Sequence, residues 1–259
     1  MKQSRFVLFS LIFLYFFLIG PFLLIFLASF GSEAIMTFPP KGFSLRWFEK
    51  VFTVRMFLDA FIISLGLGIL STLAALILGV PIAYALVRYQ FVGKGVMEVV
   101  FASPAVIPGI VLGFALLRYF ILVGNVPIKT SLFLGHTVIL LPYTVRVVSA
   151  ALRNLDLSIE EAAISLGAHP LRSFFLVILP NVQAGVIAAF ILAFITSFNN
   201  VPLSLLLTGP GIATLPIQML IYMEYYFDPT IAALSSILIV LTVGIVQTAE
   251  KVLGISKYV

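Results

Sequence analysis

The chain contains no cysteine, one tryptophan and two histidines, and charged residues make up only 10% of its 259 positions. Without cysteine there can be no disulfide, no thiolate-liganded zinc and no thiol nucleophile. With His136 and His169 as the imidazoles and ten acids spread along the chain, neither a dedicated metal site nor a catalytic residue set is expected. The net charge of +5 includes no Lys/Arg tract, so no nucleic-acid partner is expected. The composition is instead apolar: 62% hydrophobic residues and a mean hydropathy of +1.21, against about 45–50% apolar and about 25% charged in an ordinary soluble domain. A soluble globule of this size exposes too much surface to hide that much apolar side chain. The chain reads as a protein dissolved in lipid.

A membrane span needs about 20 apolar residues. Six runs reach that length, over residues 6–29, 60–87, 99–122, 131–152, 179–200 and 230–252. The expected fold is all-α and polytopic with six transmembrane helices: one membrane domain over 1–259, with 1–30 as the first helix and 60–252 as a five-helix core. Lys2 and Arg5 precede the first run and Ala28 stands where a leader is cleaved. At about 24 apolar residues the run exceeds a secretory h-region, so an uncleaved anchor is expected.

Placing the N-terminus inside assigns nine basic residues to the cytoplasmic side: Lys2, Arg5, Arg88, Lys94, Arg146, Arg153, Arg172, Lys251 and Lys257. Six fall outside: Lys41, Arg46, Lys50, Arg55, Arg118 and Lys129. This bias puts both termini in the cytoplasm, although residues 31–59 oppose it. That segment reads as an amphipathic piece on the interface, with Leu45, Trp47, Phe48, Val51 and Phe52 apolar and Arg46, Glu49 and Lys50 polar. Trp47 is expected at headgroup level. Pro81, Pro104, Pro108, Pro142 and Pro202 lie within or beside spans, where each removes a backbone donor. Gly66, Gly68, Gly79, Gly109 and Gly113 are places where helices can approach closely.

Between the fourth and fifth spans lie residues 153–178, a cytoplasmic segment. Its first part reads as a short helix. Ser158 followed by Glu161 makes a capping box, and Glu160 and Glu161 lie at the positive end of the helix dipole. Ile159, Ala162, Ala163 and Leu166 supply an apolar side. Gly167 suits a left-handed stop and Pro170 prevents continuation. Such a helix has little of its own chain to pack on and reads either as a docking element or as a loop resting on the membrane; His169 reads as its surface.

Glu161-Ala162-Ala163, three residues, Gly167, nine residues, then Val177-Ile178-Leu179-Pro180 resembles the EAA loop of ABC importer permeases, with Val177 in place of Ile. Ser44-Leu45-Arg46-Trp47-Phe48, Ser197-Phe198-Asn199-Asn200-Val201-Pro202-Leu203-Ser204, Leu215-Pro216-Ile217-Gln218 and Asp228-Pro229-Thr230-Ile231-Ala232-Ala233 resemble the spermidine/putrescine-type branch, whose relatives also carry opines, aminoethylphosphonate, ferric iron or thiamine. The resemblance implies a MetI-like ABC permease fold in a bacterial inner membrane. It implies that Glu160, Glu161, Ala162, Ala163 and Gly167 form a coupling helix in a groove of an ATPase subunit. It implies as partners two ATP-binding subunits, a second permease subunit, commonly a different chain, and an extracytoplasmic solute-binding protein. No G-x-x-x-x-G-K-[S/T] occurs in this chain, and Gly93-Lys94-Gly95 does not complete one. The chain is therefore expected to be a transport subunit that binds no cofactor, with ATP and Mg²⁺ held by the partner ATPase.

Thr196, Ser197, Asn199 and Asn200 at the end of the fifth span read as a cavity-lining polar group, or as turn chemistry with Pro202. Thr208-Gly209-Pro210-Gly211 is a turn, and residues 215–227 read as a helix that dips back into the protein. Glu224, Asp228 and Tyr222, with Tyr225 and Tyr226, suit either a cationic cargo or a binding protein, or else an interfacial belt. His136 reads as an interhelical hydrogen bonder, and Arg118 and Arg146 as snorkelling side chains. Two other readings stand beside the permease: an ion-coupled secondary transporter, which would need buried acids that the spans almost lack, and a non-transport membrane scaffold.

Overall fold

A computed structural model describes residues 5–253; Lys2 and Lys257, two of the charges in the orientation argument, lie outside them. In chain order the helices are α1 (Arg5–Ala28), α2 (Arg46–Thr53), α3 (Arg55–Arg88), α4 (Lys94–Val106), α5 (Gly109–Gly124), α6 (Ile128–Asn154), α7 (Leu157–Ser165) and α8 (Pro170–Ser173), then a π-helical turn (Phe174–Ile178), α9 (Leu179–Asn181), α10 (Gln183–Phe198), α11 (Pro202–Leu207), α12 (Leu215–Tyr225) and α13 (Thr230–Leu253). Among the described residues α1, α3, α6 and α13 are each long and apolar enough to cross a bilayer. Two bent pairs, counted as one span each, complete the expected six.

The third and fifth spans are both bent. α4 and α5 meet at 104°. Pro108 has no amide hydrogen to donate, and the residue before a proline is pushed out of the helical region; Ile107 accordingly lies at φ −71°, ψ 130°. The stretch Pro170–Asn181 meets α10 at 72°. Pro81 and Pro142 sit inside the continuous helices α3 and α6.

Contacts divide the described chain into two units. The first holds α1, α2, the start of α3, most of α12 and all of α13. α1 is exposed along its apolar length and touches α13, which also packs on α2. Only 5% of Trp47 is exposed. Its indole N–H donates to the Gly31 carbonyl at 2.7 Å, and the Arg46 guanidinium stacks 4.3 Å above its ring while donating to the Ser32 carbonyl. α2 is thus pinned to the loop behind α1, while Leu45 and Phe52 stay exposed.

The second unit, residues 60–217, is organised along α6. Toward the N-terminal half of α6, Leu132, Ile139 and Leu140 pack with Ala75, Phe120, Ala193, Leu203 and Leu207. Toward its C-terminal half, Val145, Val148 and Leu152 pack with Leu76, Val80, Ala83 and Leu86 of α3 and with Phe174 and Ile178 of the π-helical turn. The α3–α6 crossing between these clusters is close because Gly79 has no side chain. A Cβ there would collide with the Thr144 side chain, whose hydroxyl donates to the carbonyls of Ala75 at 3.1 Å and Leu141 at 2.9 Å. Gly109 and Gly113 admit α11 in the same way: Cβ atoms would stand 3.1 Å from Pro202 and 3.2 Å from Leu206. Gly66 departs from this pattern: a Cβ there would meet nothing within 4 Å beyond its own stretch of helix.

At about 1.5 Å per residue, the 34 residues of α3 span about 51 Å, against about 30 Å of hydrocarbon. The helix therefore extends beyond the apolar layer. Gly79→Val is expected to drive a branched side chain into Thr144 and to destabilise the fold by about 1–3 kcal/mol. Thermal unfolding in detergent should show a lower midpoint; an unchanged midpoint would refute the close-crossing argument.

Candidate functional site

α7 starts and stops by local chemistry. Its N-cap is Asp156, whose Oδ1 accepts from the Ser158 backbone N–H at 2.9 Å. This replaces the expected Ser158 capping box: the helix begins one residue before that serine, so Ser158 is the second helical residue. The Ser158 backbone and hydroxyl hydrogen bonds hold the Asp156 carboxyl below the usual carboxylate range, with a smaller contribution from Arg88. At the other end the Ala168 N–H donates to the Ala163 carbonyl at 3.1 Å and the Gly167 N–H to the Ile164 carbonyl at 2.9 Å. That is the paired bonding of a Schellman stop, and Gly167 supplies its positive φ of +90°. His169 is exposed, and its Nδ1 accepts from the Leu171 N–H at 3.3 Å, capping α8.

The two neighbouring glutamates point to different surroundings, since successive helical residues are turned by about 100°. Glu160, expected among the partner-facing residues, is turned inward: it is 7% exposed. The Tyr84 hydroxyl donates to its Oε1. The Arg88 Nε lies 3.1 Å from its Oε2, an ion pair whose partners are not aligned as a linear hydrogen bond. Arg88 also donates from Nη2 to the Leu155 carbonyl at 3.2 Å, just past the end of α6. Tyr84 and Arg88 are four residues apart and so share one face of α3. Glu161 and Ala162 are exposed and Ala163 is half-buried. Leu157, Ile159, Ile164 and Leu166 are also exposed, Leu166 by 90%. α7 therefore combines an anchored acid with an uncovered face of an acid and several apolar side chains.

The second half of the motif begins another turn of structure. Phe174, at 4.9 Å from the Tyr84 ring, opens the π-helical turn. Ile178 is fully buried, and the Asn181 side-chain amide donates to the Val177 carbonyl at 2.7 Å. π-helical insertions are rare and concentrate at functional places in helices.

The end of α10 is organised around His136, which is fully buried. Its Nδ1 is 2.8 Å from the Ser197 hydroxyl and its Nε2 is 3.1 Å from the Ser204 hydroxyl. One ring nitrogen donates and the other accepts, so α6 holds α10 and α11 together through a single imidazole. Ser197 is thus a buried bracket. The Thr196 hydroxyl donates to the Leu192 carbonyl at 2.8 Å. Asn200 caps the next helix, its Oδ1 accepting from the Leu203 N–H at 3.0 Å. Asn199 is exposed, with its amide donating back to the Ile195 carbonyl at 3.2 Å. After the turn at Gly209–Ile212, the Leu215 N–H donates to the Ser64 hydroxyl at 2.7 Å, and Leu215 and Ile217 are buried.

Asp228 and Tyr222 are bonded within their own chain. The Lys50 ammonium is 2.5 Å from Asp228 Oδ2. The Tyr222 hydroxyl donates to the same oxygen at 3.0 Å, and the Thr230 N–H donates to Oδ1 at 3.0 Å. Lys50 also lies 5.6 Å from the Trp47 ring centre and 5.8 Å from that of Tyr222. The carboxylate and aromatic faces do bind an ammonium, but it comes from α2, 178 residues away. Glu224 is exposed. Burial pushes the Asp228 carboxyl up, yet the hydrogen bonds from Lys50, Thr230 and Tyr222 outweigh it and hold it below the usual 3.8. The hydrogen bond to Asp228, and then that to Tyr222, hold Lys50 above the usual 10.5.

Residues 75–249 match the family described as binding-protein-dependent transport system inner membrane component. The chain is 33% identical over 237 residues to the putrescine transport system permease protein PotI of Escherichia coli K12, covering 89% of this chain and 84% of that one. It is 30% identical over 243 residues to the spermidine/putrescine transport system permease protein PotC of the same organism, covering 92% and 90%. Its fold is similar to a chain in the crystal structure of a bacterial ABC transporter involved in import of the acidic polysaccharide alginate, with a TM-score of 0.70, 18% identity, and coverage of 96% of this chain and 99% of that one.

The lowered Asp228 carboxyl stabilises the fold above pH 3.8, and that contribution is lost as pH falls through its folded-state value. The raised Lys50 contributes below pH 10.5 and is lost as pH rises through its own. Asp228→Asn is therefore expected to lower the unfolding temperature at neutral pH, with the gap closing as pH is taken below 3.8. A gap of equal size on both sides of that pH would show that the charge plays no part.

Proposed function

The chain belongs to the family of binding-protein-dependent transport system inner membrane components, and on that premise we propose that it forms half of the translocation pathway of an ATP-driven importer for small organic polycations of the putrescine and spermidine kind. The chain is a multi-pass membrane protein. The cargo class rests on the two permease relatives, each similar over more than four fifths of this chain.

One observation carries the rest of the reading: α7 is sharply capped at both ends and leaves Glu161, Ile164 and Leu166 uncovered. Exposed apolar side chains beside a charge, in a helix too short to be stable alone, fit a groove on a second protein. We assign that groove to an ATPase subunit, with ATP and Mg²⁺ bound there and two such subunits serving a pair of permease chains. A solute-binding protein would deliver the cargo to the other face of the membrane. In this arrangement the termini, α7 and the ATPases lie on the cytoplasmic side, and ATP-driven closure of the ATPases rocks the bundle between its inward- and outward-open states.

The assignment is tested by co-expressing the chain with an ATPase subunit and a second permease subunit from the same genome, reconstituting the complex in vesicles and supplying the binding protein with labelled putrescine. ATP-dependent uptake is expected. Glu161→Lys is expected to release the ATPase and reduce uptake by about tenfold or more, since reversing a charge in a close interface costs several kcal/mol. Uptake driven by an ion gradient without ATPase, or full uptake by Glu161→Lys, would overturn the reading.

A further inference from the structure

The docking face of α7 and the acid that faces away from it divide two jobs between adjacent residues. We propose that Glu160 is a positioning residue that fastens α7 to the projecting end of α3, so that force received by the docking face reaches α3 directly; this rests on the proposed function above.

The argument starts from connectivity. Along the chain, α7 is joined to α6 through Leu155 and Asp156 and to α10 through α8, the π-helical turn and α9. Both covalent routes pass through joints: Leu155 is extended at ψ 124°, and the second route contains Gly167, the π-helical turn and a 72° bend. Neither leads to α3. Tyr84 and Arg88 of α3 are both bound to the one carboxylate of Glu160. Arg88 is bound in addition to the Leu155 carbonyl. The ends of α3 and α6 and the first turn of α7 are thereby held at a single guanidinium.

The chemistry suits force transmission. The Arg88 and Glu160 side chains are 9% and 10% exposed, so water screens the pair little. An ion pair whose partners are both removed from water resists separation, because parting them strands two unsolvated charges. The Tyr84 hydroxyl fills a further carboxylate position, and its ring lies against Phe174 at the start of the π-helical turn. A sideways push on α7 therefore moves α3 with it and does not merely swing α7 on its joints. Glu161, one residue on, is free of this network and exposed.

The test compares three variants in the reconstituted complex. The readouts are co-purification of the ATPase and the number of cargo molecules imported per ATP hydrolysed. Glu160→Gln is expected to keep the ATPase bound, because the docking face is untouched, while transport per ATP falls by about tenfold or more, as for the breaking of a buried pair. Tyr84→Phe, which leaves the charges paired, is expected to lower the ratio by about fivefold or less, the factor carried by one hydrogen bond. The exchange Arg88→Glu with Glu160→Arg is expected to restore much of the ratio. An unchanged ratio in Glu160→Gln, or loss of ATPase binding in all three variants, would overturn the fastening role while leaving the proposed function standing. If the unaltered chain binds no ATPase, the proposed function fails, and this inference with it.

Discussion

The arrangement of the second unit depends on a buried ion pair at the end of a helix too long for the bilayer. α3 extends past the hydrocarbon, and Arg88 closes it. Without a counter-charge, that guanidinium would sit unpaired in a place only 9% open to water. Glu160 supplies the counter-charge, and the Leu155 carbonyl takes a further donor. Once those bonds form, the chain leaving α6 must turn back across the end of α3, and the only faces of α7 left uncovered are those pointing away. The site's orientation thus follows from electrostatic satisfaction inside the chain, before any partner is considered.

Much of this was legible in the sequence. Six apolar runs gave the span count, and the spacing from Glu161 through Gly167 to Pro180 identified the motif and its place between the fourth and fifth runs. Gly167 was readable because its signal is local: only a residue tolerant of positive φ closes that helix. What could not be read depends on neighbours far along the chain. Glu160 and Glu161 are indistinguishable as letters, and their separation into a buried and an exposed acid depends on Tyr84 and Arg88, more than 70 residues earlier. Asp228 looked free because its cation lies 178 residues away. Pro108 marked the sharper bend, but hydropathy averages over a window and is blind to direction, so the angles of the two bends could not be read.

The polar residues at depth illustrate the same constraint from the other side. Lipid offers no hydrogen bonds, so each polar group must find its partner within protein or reach water. His136 spends both ring nitrogens on serines from two different helices, Asn200 caps the helix that follows it, and Thr144 returns its hydroxyl to backbone carbonyls. These residues shape the bundle by joining helices at defined heights. They also explain why α11, only six residues long, holds its place against α5 and α6: its start is capped, its serine is bracketed, and Leu203 and Leu207 are buried.

The first helix makes the contrast plain. α1 touches little besides α13 and shows its apolar surface on all sides. The stretch that matches the family begins at residue 75, well beyond it. With its apolar side chains exposed along its length, α1 meets the demand of solubility in hydrocarbon. Its Phe-rich spelling records the solvent in which it lives and carries no trace of the cargo the rest of the molecule moves.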